Sequence, residues 1–242
     1  YSYNVYQIEG EGKNLPTIIF PHGGPIAADD EKGFDYWTSF FVNRGYAVIQ
    51  MNFRGSTGYG FDFMKAGLGQ WGGQMQEDVE DATYWAINEG IADPNRICIV
   101  GGSYGGYAAT QGPMMRPDLF KCAISEAGLY DINAQYSSGD IKMMRGGRKF
   151  LEDTFGDGEK AEDMSPINYA YKLKTPYMLI HGKKDVRTPY KEAEAFMKAM
   201  DKNGIKYEKM IIEKETHGFS KEENRIEKMK RISAFFRKHL ET

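Results

Sequence analysis

Segment 97–105 reads Ile-Cys-Ile-Val-Gly-Gly-Ser-Tyr-Gly. It is an apolar run of strand length, then a G-x-S-x-G pentapeptide, and it leads into a stretch of helical character from 106 to 115. A serine between glycines at a strand-to-helix turn is the setting of a nucleophile elbow, where the hydroxyl stands exposed on a tight, strained turn. The flanking glycines are required because strand and helix backbones approach too closely there to admit a Cβ. Such a turn needs a strand followed by a helix that folds back on it. It therefore selects folds in which β and α elements alternate.

The rest of the chain keeps that alternation. Short apolar runs at 17–20, 46–51, 97–100, 122–125, 177–180 and 207–212 fit central parallel strands covered on both faces, and 3–8 is a further candidate ahead of them. Between them, 34–43, 74–88, 190–203 and 221–240 have helical period. In 74–88, Val79, Ala82, Thr83 and Ala86 share one face, and Glu77, Asp78, Glu80 and Asp81 are expected on the other. The last helix carries Ile226, Met229, Ile232, Phe236 and Leu240 as one stripe, read as the face packed on the sheet. The acidic stretch 152–163 lacks calcium-loop spacing and is expected to be a solvated loop. With 41% hydrophobic residues in 242, the expectation is one α/β domain over residues 1–242, its central sheet mostly parallel with helices on both faces.

Several function classes fall away. A net charge of −3 argues against nucleic acid as the main partner, and no apolar run approaches the length of a membrane span. Cys98 and Cys122 lie in apolar runs and are expected to be buried thiols rather than a disulfide. The four histidines lack metal-ligand spacing, so no metal and no cofactor are expected. Few cysteines and no leader at the N-terminus lean towards a cytoplasmic location.

A serine hydroxyl needs a base to take its proton, and the base needs a third group to orient it. Asp185 follows the strand at 177–180, and His217 follows the strand at 207–212. Ser103, Asp185 and His217 thus fall at one edge of the sheet, in the order serine, acid, histidine. Taken singly, Asp185 is equally an ordinary turn aspartate and His217 a surface histidine; the elbow upstream decides for a triad. His22-Gly23-Gly24-Pro25 follows the strand at 17–20, where backbone N–H groups can face a developing oxyanion, and the N–H of Tyr104 is the second donor. His181 and His239 are read as structural.

Taken together, His22-Gly-Gly-Pro25, Asn52-Phe-Arg-Gly-Ser-Thr-Gly-Tyr-Gly60, Gly101-Gly-Ser-Tyr-Gly-Gly-Tyr107, Asp185-Val-Arg-Thr-Pro189 and His217-Gly-Phe219 resemble the catalytic domain of the prolyl oligopeptidase family. Within it the chain is most similar to acylaminoacyl-peptidases and dipeptidyl-peptidase-like members. The resemblance implies an α/β-hydrolase fold in which Ser103 is acylated, His217 shuttles the proton and Asp185 holds the imidazole. It implies an oxyanion hole from the N–H groups of Gly24 and Tyr104. Arg187 matches the family's substrate-binding position, with a surface ion pair as its alternative, and Tyr104 and Tyr130 would wall the pocket. Arg54 is read as the anchor of its Gly-rich loop. The implied substrates are short peptides or N-acylated peptides, without cofactor, nucleic acid or membrane, and a homo-oligomer is compatible. A carboxylesterase using the same triad is the alternative; a binding-only hydrolase fold would be expected to lack a triad member. Full-length relatives carry an N-terminal β-propeller, and only about 15 residues precede the His-Gly-Gly strand, too few for one blade. The expectation is therefore the catalytic portion of a longer chain.

Overall fold

A computed structural model describes residues 2–7, 12–28, 34–156 and 158–241. Its strands are β1 (Ser2–Tyr6), β2 (Leu15–Ile19), β3 (Ala47–Asn52), β4 (Ala92–Gly102), β5 (Cys122–Glu126), β6 (Tyr177–Gly182) and β7 (Tyr207–Ile212). They form one sheet in the order β1-β3-β2-β4-β5-β6-β7, in which only β1 is antiparallel to its neighbour. Ile8, in the first strand expected, lies outside the described residues. The helices are α1 (Tyr36–Val42), α2 (Phe61–Lys65), α3 (Gln74–Asn88), α4 (Tyr104–Met115), α5 (Gly147–Phe155), α6 (Gly158–Met164), α7 (Tyr190–Lys202) and α8 (Glu222–Leu240). Among the described residues no helix is long and apolar enough to cross a membrane.

Alternation along the strands divides the core in two. Ile18, Val48, Cys98, Val100, Ile124, Met178 and Ile180 face α1 and α8, where Phe41, Ile232, Phe235 and Phe236 meet them. Their neighbours Ile19, Ile49, Ile97, Ile99, Ala123 and Leu179 face α3, α4 and α7. Almost every residue of α4 is buried, because segment 131–172 lies over it on the side away from the sheet, with Met164 O accepting from the Tyr107 hydroxyl at 2.9 Å. This puts the helix that begins at the serine under cover on all sides.

Four expectations change. Segment 152–163 is not a loop: α5 and α6 occupy most of it, because Leu151, Thr154 and Phe155 give α5 a buried face while Arg148–Glu152 and Lys149–Asp153 pair on its exposed one. Residue 157 and the side chain of Glu159 lie outside the described residues. On α3, Asp78 and Glu80 are buried rather than solvated, paired with Arg54 at 2.6 Å and Arg116 at 3.0 Å. On α8, Ile226 is exposed and Phe235 takes a place in the core. Cys98 and Cys122 are buried as expected but form a disulfide. Register sets them side by side on β4 and β5, with Cα atoms 4.7 Å apart. The pairing removes the cysteine argument for a cytoplasmic location.

Candidate active site

Ser103 directly follows β4 and caps α4 with φ +58° and ψ −120°. A residue with a Cβ is strained there, and the surroundings hold it in place. Its N–H donates to Glu126 O at 2.9 Å, and its carbonyl accepts from Tyr107 N at 3.0 Å. The glycines leave no alternative at this turn. A Cβ on Gly101 would overlap the Gly105 backbone, and one on Gly105 would overlap the Pro21 carbonyl. Gly105→Ala is expected to destabilise the protein by more than about 3 kcal/mol, since the clash is with backbone that cannot swing aside. A denaturant midpoint close to that of the wild type would contradict it.

Asp185 and His217 stand on the turns after β6 and β7. The Asp185 side chain is buried, and each oxygen has its own donors. Oδ1 accepts from the amides of Arg187 and Thr188, both at 2.9 Å. Oδ2 accepts from the Thr188 hydroxyl at 2.9 Å and from His217 Nδ1 at 2.9 Å. Burial pushes this carboxyl up, but the hydrogen bond and charge of His217 and the Thr188 amide outweigh it, leaving it below the usual aspartate value. Donation from Nδ1 leaves Nε2 as the imidazole nitrogen able to accept a proton. His217 is about one-third exposed. His181 is buried, and its Nε2 donates to Thr188 O at 2.8 Å, bracing the acid turn from below. Burial pushes its imidazole below the usual histidine value, against the opposing pull of Asp185.

The sequence reading missed Glu215. Its buried carboxylate accepts from Ser220 N, Ser220 Oγ, Lys221 N and Asn224 Nδ2, tying the His217 turn to the start of α8. Burial alone would raise it, but these donors hold it down at about 2. A folded-state value below the usual 4.5 means the stabilisation is complete above that pH and is lost as pH falls from about 4.5 towards 2. Glu215→Gln should lower Tm by about 4 °C at neutral pH and turnover about tenfold, through a loosened His217. The Tm gap should close on acidification through that window. A gap independent of pH would refute the role of the charge.

The His22–Pro25 turn lies beside the serine. His22 stacks on Phe53 at 4.3 Å and reaches Ser56 Oγ through Nε2 at 2.8 Å. Arg54 fixes the neighbouring Gly-rich loop through Asp78 and Gln74, as its reading as an anchor expects. A Cβ on Gly23 would lie 3.5 Å from the Ser103 Cβ, so backbone rather than side chain faces the serine. The N–H of Tyr104 is in the first turn of α4, where helix geometry supplies no acceptor.

Ser103 and His217 open onto two cavities. One, about 300 Å³, is lined by Gly24 and Arg187 and walled by Trp71, Leu129, Phe150 and Phe155. The other, about 450 Å³, is lined by Gly23, Gln50, Glu126 and Lys228. The largest groove described, about 890 Å³ between α1 and α8, contains none of Ser103, Asp185 and His217. Arg187 forms the ion pair that is its alternative reading, through Nε with Asp140 at 2.6 Å, and it also lines the first cavity. The two tyrosines do not wall the pocket. The Tyr130 ring is buried against Phe196 at 4.7 Å with its hydroxyl on Ser125, and Tyr104 is buried among Phe53, Trp71 and Tyr107. Position in sequence suggested them, but both point into the core. The wall comes instead from Trp71, Leu129 and segment 131–172, whose apolar residues carry no motif.

The sequence profile of the prolyl oligopeptidase family matches residues 32–242. The chain belongs to that family. Among similar members is dipeptidyl aminopeptidase BIII of Pseudoxanthomonas mexicana, 35% identical over 87% of this chain and 31% of its own. Another is the acylamino-acid-releasing enzyme of Arabidopsis thaliana, 29% identical over 94% of this chain and 31% of its own. Among solved structures, the acylaminoacyl peptidase of Pyrococcus horikoshii superposes with a TM-score of 0.88 at 31% identity, over 98% of this chain and 39% of that one. The chain therefore spans about a third of the length of the prolyl oligopeptidase family members it matches, and it shares their α/β-hydrolase fold.

Proposed function

We propose that this chain carries the catalytic machinery of a serine peptidase that cleaves short peptides or N-acylated peptides through an acyl-enzyme on Ser103. The observation that carries the reading is the 2.9 Å bond from His217 to buried Asp185, on an imidazole that shares both its cavities with a strained serine. Ser103 Oγ attacks the scissile carbonyl while His217 Nε2 takes its proton, and Asp185 stabilises the imidazolium that results. The N–H groups of Gly24 and Tyr104 receive the oxyanion. The leaving amine departs with the proton from His217, and water then repeats the sequence on the ester. The apolar cavity accepts the side chain of the acyl residue, and the outer nitrogens of Arg187, whose Nε is engaged by Asp140, grip a carbonyl of the same segment. We read residues 1–242 as one catalytic domain of a longer chain; an intact natural mass near 27.5 kDa would overturn that.

The relatives are named as aminopeptidase and acylamino-acid-releasing enzyme, which favours peptides over esters. The test is hydrolysis of a p-nitrophenyl acyl ester, an N-acetyl-aminoacyl anilide and a free-amino dipeptidyl anilide, by wild type and by Ser103→Ala. Anilide turnover that disappears in the variant supports the peptidase. Ester turnover alone would leave two readings, an esterase or a peptidase domain parted from the substrate-selecting part of a longer chain.

A further inference from the structure

The two cavities that meet at Ser103 differ in chemistry. One is walled by aromatic and aliphatic side chains, while the other has a buried ion pair. Lys228 of α8 is almost wholly inaccessible, and its Nζ donates to both carboxylate oxygens of Glu126, at 2.7 and 2.9 Å. The ammonium also lies 4.6 Å from the Trp37 ring centre and 5.0 Å from that of Phe219. Glu126 is also the residue whose carbonyl holds the Ser103 N–H, so one member of the pair is itself the backbone support of the nucleophile. Taking two charges out of water is costly, and packing alone would be served as well by apolar side chains. The fold nonetheless places these two in the wall of a cavity shared by the serine and the base.

Resting on the peptidase reading above, we propose that this polar cavity is the leaving-group subsite, and that Glu126 and Lys228 together select leaving amines that continue as a peptide. When a scissile bond lies across Ser103, its acyl side and its amine side enter different cavities. The carboxylate keeps acceptor lone pairs beyond those used by Lys228, and the ammonium has a third proton to donate. A peptide group presents an N–H and a C=O side by side and can satisfy both members at once. An aryl amine or an alcohol offers no such pair.

Trapping of the acyl-enzyme isolates this subsite from the acyl side. An N-acyl amino-acid p-nitrophenyl ester acylates Ser103, and the ester so formed is then offered alaninamide or alanine methyl ester at equal concentrations of free amine. In either case the amine nitrogen attacks the acyl carbon, the C–N bond forms as the C–Oγ bond breaks, and His217 carries the amine proton to Oγ. The two nucleophiles differ in the amide N–H that Glu126 would accept. In wild type, alaninamide should divert the acyl group from water about tenfold better than the methyl ester, the value of one hydrogen bond to a charged group. Lys228→Met alone leaves Glu126 buried and unpaired, so the variant to compare is Glu126→Leu with Lys228→Met, in which the preference should fall to near parity. Equal trapping by both nucleophiles in wild type, or a preference that survives in the double variant, overturns the proposal. Absence of any acylated Ser103 in wild type overturns the peptidase reading beneath it, and is recognised separately by the missing nitrophenol burst and unchanged protein mass.

Discussion

Ser103→Ala is expected to lower turnover by about 10⁴-fold or more on every substrate the wild type accepts, while the protein stays folded. The first half follows from the acyl-enzyme: without Oγ there is no atom for the acyl group to occupy, and what remains is binding and the oxyanion donors. The second half follows from the backbone. Serine and alanine both carry a Cβ, so the strain at φ +58° is common to both, and the elbow is held by Ser103 N to Glu126 O and Tyr107 N to Ser103 O, which the substitution leaves intact. A stability change within about 1 kcal/mol is expected, read by denaturant unfolding alongside the kinetics. Residual turnover within tenfold of wild type would remove Ser103 from the chemistry.

Asp185→Asn is expected to cost about 10⁴-fold in turnover with little change in affinity, and the reason is directional. Two backbone amides, those of Arg187 and Thr188, point at Oδ1, so an asparagine must place its carbonyl oxygen there. Its NH₂ then occupies the Oδ2 position and faces His217 Nδ1. Two donors cannot share a hydrogen bond, so the imidazole adopts the tautomer with its proton on Nε2, where it cannot accept one from Ser103. The variant also loses a carboxylate held below its usual value, a stabilisation present at neutral pH and lost on acidification through the carboxylate range. Turnover within tenfold of wild type would show that the imidazole is oriented by something other than Asp185.

Much of this was legible in the sequence, because the relevant signals are local. Apolar runs of strand length became strands; 207–212 and 74–88 coincide with β7 and α3. Motifs written into turns, such as Gly101–Gly105 and Asp185–Pro189, mark their own positions at the sheet edge. What remained hidden was tertiary. Tyr130 is apolar and polar at once, and only packing decides that its ring stacks on Phe196 and its hydroxyl meets Ser125. Asp78 and Glu80 are charged, yet they are buried because Arg54 and Arg116 arrive from distant segments. The pocket wall from Phe150 and Phe155 belongs to a segment with no motif, and Glu215 looks like any surface acid until its four donors are seen.

The bond between Cys98 and Cys122 spans 24 positions of sequence, and within them lie Ser103 and all of α4. Those residues are a closed covalent ring whose clasp is set in the middle of the sheet. On a loop-closure account, a ring of that length restricts the unfolded chain by about 3.5 kcal/mol. It also changes what a protease can do: one cut between the two cysteines leaves both ends fastened, so the nicked protein keeps its serine on the same molecule as its histidine until a reductant opens the ring.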